Sequence, residues 1–206
     1  MTHAFDKHYW EHHWDDRTSH FVAANPYLVE EAAGLTPGTA LDAGCGAGAE
    51  AIWLAEHGWQ VTGADISATA LATATQQAQA AGVDATWIEA DLTSWRPAEH
   101  WDLVMTHYAH PSIPQLDFYR RIAQWVAPGG SLLIVGHMHD GAQHHSHGDG
   151  EQPPHEATVT AKDITALFDA SAWHIETAAE RSRTVAGTGV HSKTLRDAVV
   201  RVTRLI

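Results

Sequence analysis

A chain of 206 residues with 44% hydrophobic content can bury one sizeable core and is short for two, at roughly 150 residues per domain. Its 12 Lys and Arg against 25 Asp and Glu give a formal charge of −13, which repels polyphosphate and argues against a nucleic-acid partner. A single cysteine, Cys45, excludes a disulfide framework, and no apolar run reaches the roughly 18 residues of a membrane span, so a cytoplasmic protein with no membrane partner is expected.

The segment Met1 to Asp16 mixes charge and histidine where a secretion signal needs apolar residues. We read Met1 to Pro37 as an N-terminal helical cover. Thr39 to Ala43 is a short strand that runs into Gly44, Gly46 and Gly48. Ala49 to His57 has helix formers and stops at Gly58, a left-handed C-terminal cap. Trp59 to Ala64 is the second strand; Ser67 caps an alanine-rich helix to Ala81 that Gly82 ends. Ala85 to Ala90 and Asp102 to Thr106 are the third and fourth strands. Leu116 to Val126 places Leu116, Tyr119, Ile122 and Val126 on one helical face. Pro128, Gly129 and Gly130 make a turn into Ser131 to Val135, apolar throughout, as in a parallel sheet covered on both faces. A polar, histidine-rich connection from His137 to Thr158 follows; one this long is a functional lid or unstructured. Thr160 and Asp163 form a capping box opening a helix through Phe168, and Trp173 to Arg181 and Ala198 to Leu205 are two closing strands.

Strands alternating with helices predict a doubly wound, Rossmann-like α/β fold with a mostly parallel sheet and a C-terminal antiparallel hairpin. The expected organisation is a single domain: cover over residues 1–37, cofactor-binding core over 38–136, histidine-rich loop over 137–158, and closing helix and hairpin over 159–206. Ligands of such a sheet bind outside the carboxyl ends of the strands.

The strongest chemical signal is Asp42-Ala43-Gly44-Cys45-Gly46-Ala47-Gly48, where a strand runs into glycines that open a helix. Glycines let a ligand approach the backbone, and the helix N-terminus favours an anionic group. Gly44, Gly46 and Ala49 also satisfy the dinucleotide pattern G-x-G-x-x-A, with Asp65 at the distance of a ribose-binding acid, so the glycines alone leave two cofactors open. Two further features separate them. Asp42 stands two positions before the first glycine, where dinucleotide folds carry an apolar residue, and Asp91-Leu92 puts a second acid at the end of the third strand.

With these residues the chain resembles the class I S-adenosylmethionine-dependent methyltransferases, over about Thr39 to Val135. The resemblance implies that the loop of Asp42, Gly44, Cys45 and Gly46 cradles the methionine part and ribose. It also implies that Asp65 takes both ribose hydroxyls with Ile66 beside the adenine, and that Asp91 and the Leu92 amide meet the adenine edge. S-adenosylmethionine would be the cofactor and S-adenosylhomocysteine the product. Near the N-terminus, Trp10 and Trp14 at helical i, i+4 spacing, followed by Arg17-Thr18-Ser19-His20-Phe21 and Asn25-Pro26, look like the thiopurine and tellurite-resistance methyltransferase group. That group methylates sulfur, selenium and related soft nucleophiles, and the two indoles would close over the cofactor. Such a pair also arises from plain packing.

His107 and His110 follow the fourth strand and His137 the fifth, bordering in this fold the place where the methyl departs. Any one of the three could serve as a general base, His107 and His110 being the candidates put first, since an imidazole near its ordinary pKa of about 6.5 accepts a proton at neutral pH. His107 also counts among the cofactor residues. Cys45 reads as a small buried residue. His137, His139, His144, His145 and His147 are metal-ligand types without ligand spacing, so no metal is expected and the loop reads as solvated polar chain. His107-Tyr108-Ala109-His110 stands where methyltransferases of adenine or glutamine amide nitrogen carry Asn-Pro-Pro-aromatic, and one cysteine is too few for an arsenite site. The expected activity is methyl transfer to a small-molecule soft nucleophile. The alternatives are N- or O-methylation of a small metabolite with a histidine base, and a metal-binding or metal-sensing protein on this fold.

Overall fold

The structure is a computed structural model and describes residues 5–15, 23–138, 158–186 and 192–206. The elements in chain order are α1 (Lys7–Asp15), α2 (Pro26–Ala32), β1 (Thr39–Ala43), α3 (Ala49–Glu56), β2 (Gln60–Asp65), α4 (Ala68–Ala81), β3 (Thr86–Glu89), β4 (Trp101–His107), α5 (Gln115–Ala123), β5 (Val126–His137), α6 (Ala161–Thr165), β6 (Trp173–Ala186) and β7 (Ser192–Arg204). The seven strands form one sheet in the order β3-β2-β1-β4-β5-β7-β6. β1 to β5 are parallel; β7 runs antiparallel between β5 and β6.

Successive side chains of a strand face opposite sides, and the apolar runs of β4 and β5 divide accordingly. Leu103, Met105, Leu133 and Val135 pack with Leu28 of α2 and Ala51 and Leu54 of α3. Val104, Leu132 and Ile134 pack with Phe118, Tyr119 and Ile122 of α5 and Ile164 of α6. Two layers of helix cover the sheet, as the continuous apolar strands predict, and the strand order reverses between β1 and β4.

Local signals place several ends as expected. Ser67 Oγ accepts the Ala70 amide, Gly82 closes α4 at φ 70°, and the Thr160–Asp163 capping box is formed in both directions. Three expectations are corrected. Val126 is not on the α5 face: it opens β5, opposite Trp101. Pro128, Gly129 and Gly130 do not precede the strand but are extruded within it, where the ladder jumps from Trp101↔Val126 to Leu103↔Ser131. Gly130 is needed there, since a Cβ would lie 2.9 Å from the Asp102 carbonyl. The α6 helix stops at Thr165 instead of Phe168, its end tightened by bonds from Leu167 and Phe168 to carbonyls three residues back. The closing strands are also longer than expected, because β6 and β7 go on pairing with each other past the part of β7 that β5 covers, and the polar residues there read as loop.

Candidate active site

The carboxyl ends of β1, β2 and β3 meet at the glycine loop. Gly44, Gly46 and Gly48 all hold positive φ (83°, 50° and 82°), a conformation costly for any residue with a Cβ. The loop is tied to β2 by Gly44 and Cys45 amides on the Ala64 carbonyl, at 2.8 and 3.2 Å. Asp65 fixes it from below: one carboxylate oxygen accepts the Gly46 amide at 2.8 Å and the other the Ser67 amide at 2.9 Å. Burial nevertheless holds the Asp65 carboxyl above its ordinary range against these bonds.

Asp42 is 1% exposed and its Oδ2 has no hydrogen-bond partner. Burial, then the charges of Glu50 and Asp65, push its carboxyl well above the ordinary range. Three carboxyl groups, Asp42, Asp65 and Glu50, are thus crowded around this loop, each disfavouring charge on Asp42 or its neighbours. Cys45 is buried among them, and burial with those charges pushes its thiol well up, so it is no nucleophile.

Beside the loop lies a groove of about 270 Å³ lined by Asp6, Lys7, Ile66, Glu89, Ala90, Asp91 and Ser112. Ile66 and Asp91 therefore line the same groove. The Asp91 carboxylate is exposed and accepts the Thr93 amide and hydroxyl at 2.9 and 2.7 Å, so it also serves its own turn. Leu92 is buried, its carbonyl held by Arg121 Nε at 2.6 Å.

The α1 helix buries none of its own residues and is held across the site by a few contacts. Glu11 caps α4 from outside its chain segment, accepting Ser67 Oγ and the Ala68 amide at 2.9 Å and the Thr69 amide at 3.2 Å. Against the cost of burial, these bonds bring its carboxyl down to about 2. Lys7 pairs with Glu89. Trp14 packs on Gly46, where a Cβ would come within 2.7 Å of the indole, and Trp10 stacks on His110 with centroids 6.5 Å apart. Sequence reading found both tryptophans but not Glu11, because a cap supplied from 57 residues away has no local signature.

The histidines separate. His107 ends β4, and neither ring nitrogen has a partner. Burial depresses its imidazole, with Glu50 opposing. His110 lies against Phe5 and His137, both at 5.7 Å between centroids. Burial, then the neighbouring His137, bring its imidazole down to about 4. The expectation of a base near the ordinary value fails for both, since an apolar enclosure disfavours the charged ring. His137 stacks on Tyr108 at 4.2 Å. Among the described residues no group of three or more His, Cys, Asp or Glu could hold a metal; His139, His144, His145 and His147, like Arg17 to Phe21, lie outside them. No helix among the described residues is long and apolar enough to cross a membrane.

The geometry predicts that Gly46→Ala costs about 1–2 kcal/mol for the positive φ alone. It should also displace Trp14, weakening cofactor binding together with a change in tryptophan fluorescence; melting and titration check both.

A glycine cradle at a strand-order reversal, a buried acid with an unpartnered oxygen, and an acid-and-apolar groove thus come together at the carboxyl ends of the parallel strands. Residues 40–130 match the family model described as a methyltransferase domain. The ribosomal RNA small subunit methyltransferase C of Alcanivorax borkumensis is 37% identical over 48% of this chain and 32% of its own. A ubiquinone biosynthesis O-methyltransferase of Serratia proteamaculans is 32% identical over 52% and 46%. This chain thus spans less than half the length of these relatives. Thiocyanate methyltransferase 1 of Brassica oleracea is 28% identical over 75% of this chain and 70% of its own. A solved structure concerning the conversion of a disulfide bond into a thioacetal group during echinomycin biosynthesis superposes with a TM-score of 0.72 at 25% identity, covering 97% of this chain and 91% of the other. Over residues 40–130 the chain is thus similar to a methyltransferase domain.

Proposed function

We propose that the chain transfers a methyl group from S-adenosylmethionine to a small acceptor bearing a soft nucleophile, a thiol, selenol or similar atom. The cofactor supplies an electrophilic methyl on a sulfonium. The glycine loop and Asp42 receive its charged methionine end, Asp65 its ribose, and Ile66, Asp91 and Leu92 its adenine, with Trp10 and Trp14 excluding water above. His107 ends β4, the strand that pairs with β1.

One observation carries the choice of acceptor: the wall beyond the cradle is made of rings. Phe5 and Trp10 flank His110, His110 faces His137, and His137 stacks on Tyr108. With His110 brought down to about 4, the part of that wall it forms is uncharged at neutral pH. A polarizable, weakly hydrated nucleophile loses little on entering such a wall, whereas a strongly hydrated one loses much. The thiocyanate methyltransferase relative supports sulfur; the ubiquinone relatives support oxygen as the second reading. Positioning and water exclusion then supply most of the acceleration. Because burial disfavours protonated His107 and His110, either can act as a base only at the low end of the usual ~10²- to 10⁴-fold contribution.

The test is calorimetry followed by an acceptor panel. S-adenosylmethionine and S-adenosylhomocysteine should each bind one per chain and NAD negligibly. Among small thiols, selenols, phenols and amines, the thiols and selenols should be methylated fastest. Preference for NAD overturns the cofactor assignment; methylation of phenols or amines alone overturns the acceptor assignment.

A further inference from the structure

His137 and Asp197 are cross-strand partners, directly opposite on the antiparallel β5–β7 ladder and on the same face of the sheet. Asp197 shares its face of β7 with Val199 and Arg201, and it is fully buried. One of its oxygens accepts Arg183 Nε at 2.9 Å. The other, Oδ1, has no hydrogen-bond partner and lies 3.8 Å from His137 Nδ1. An unpartnered carboxylate oxygen in a protein interior is costly, and here it is aimed at an imidazole on the wall of the acceptor site. No comparable carboxylate contact is seen for His110, whose described neighbours are Phe5, Trp10, Gln115 and His137.

Resting on the methyl-transfer reading above, we propose that His137 takes the acceptor's proton, with Asp197 as the positioning residue that holds its Nδ1 edge and leaves Nε2 for the proton. In the step, the acceptor's S–H bond breaks and its proton moves to His137 Nε2. The sulfur's electron pair forms the new bond to the methyl carbon as that carbon's bond to the sulfonium sulfur breaks, the bonding pair staying with the departing sulfur. The positive charge that leaves the cofactor thus ends on an imidazolium facing Asp197, and the net charge of the site is unchanged. The groups around His137 fit this direction of transfer. Asp197 on β7 is anionic, burial being outweighed by His137 and Arg183 so that its carboxyl lies below the ordinary range. Tyr108 on the segment after β4 is neutral, pushed up mainly by burial, and so is Tyr27 of α2. Arg183 of β6 is the nearby cation; it is already spent on Asp197 and on Tyr108 Oη, at 2.9 and 3.1 Å.

The test measures kcat and cofactor KM against pH for wild type, His137→Gln, Asp197→Asn and His110→Gln. One acceptor is a thiol of ordinary pKa; the other is thiocyanate or iodide, which carries no proton. His137→Gln should slow thiol methylation by about 10²-fold near neutral pH, a loss that shrinks as pH approaches the thiol's own pKa. Asp197→Asn should slow it by about tenfold and move the acid limb of the profile, and His110→Gln should leave that limb in place. In His137→Gln the loss with thiol should exceed any loss with the proton-free ion, by the factor that proton removal contributes. A wild-type profile in His137→Gln, or an equal loss with thiol and ion, overturns the assignment. So does an enzyme silenced by chelator and restored by zinc, which would make His137 a ligand. If phenols or amines are methylated and thiols are not, the soft-nucleophile reading falls, and the same comparison on those proton-bearing acceptors still decides the role of His137.

Discussion

Asp42→Asn is expected to stabilise the cofactor-free protein while weakening its hold on S-adenosylmethionine. The native carboxylate is buried, one oxygen is unpartnered, and burial and the charges of Glu50 and Asp65 all disfavour its charged form. An amide of the same shape removes the charge at the cost of no new cavity, so the variant should melt at a higher temperature at neutral pH. At this chain length each kcal/mol is worth about 2–4 °C in Tm. The sign follows from linkage. A carboxyl raised in the native state binds its proton more tightly folded than unfolded, so stability is highest below the unfolded value near 3.9. It falls as pH climbs from there to the raised native value and is level above it. The Tm advantage of Asp42→Asn should therefore vanish in acid and grow over that window. Thermal melts across pH read this directly; an advantage independent of pH would mean that charge burial is not the cause.

Asp65→Ala should give the largest loss of both binding and order. In the proposed complex the side chain meets the ribose hydroxyls, and each charge-assisted hydrogen bond lost weakens binding by roughly 1.5–3 kcal/mol. The free protein is affected as well, because Gly46 and Ser67 lose their acceptor. Two amides left without partners cost about 1–3 kcal/mol each. Ser67 also bonds to Glu11, so the anchorage of α1 should loosen with the loop. Calorimetry with S-adenosylhomocysteine and denaturant unfolding should show both losses in the same variant. An unchanged affinity would remove Asp65 from the cofactor site.

How far the site could be read in advance depended on where each interaction lies along the chain. Gly44, Gly46, Asp65, Ile66 and Asp91 stand at strand ends that punctuation marks, and their grouping follows from parallel pairing of β1, β2 and β3. Trp10 and Trp14 were visible through helical spacing, although the ring wall that Trp10 joins, with Phe5 and Tyr108, was not. Val126 was misread as helix because an apolar residue one turn past Ile122 fits the helical period as well as it fits a strand start. Asp197 left a faint signal: a charged residue at an inward position beside Val199 and Val200, which in a β run asks for a partner.

The protonation of the histidines was beyond any local pattern. An imidazole's charge depends on what surrounds it, and His107, His110 and His137 sit within a few residues of strand ends yet meet different neighbours. Composition and punctuation determined the alternation of strands and helices, the glycine cradle and its three acids, because backbone conformation and side-chain period are properties of short segments. Tertiary structure alone decided which imidazole faces a carboxylate, that Glu11 caps a distant helix, and that Asp42 is buried with an unpartnered oxygen, because electrostatics and solvation depend on distances between residues far apart in the chain.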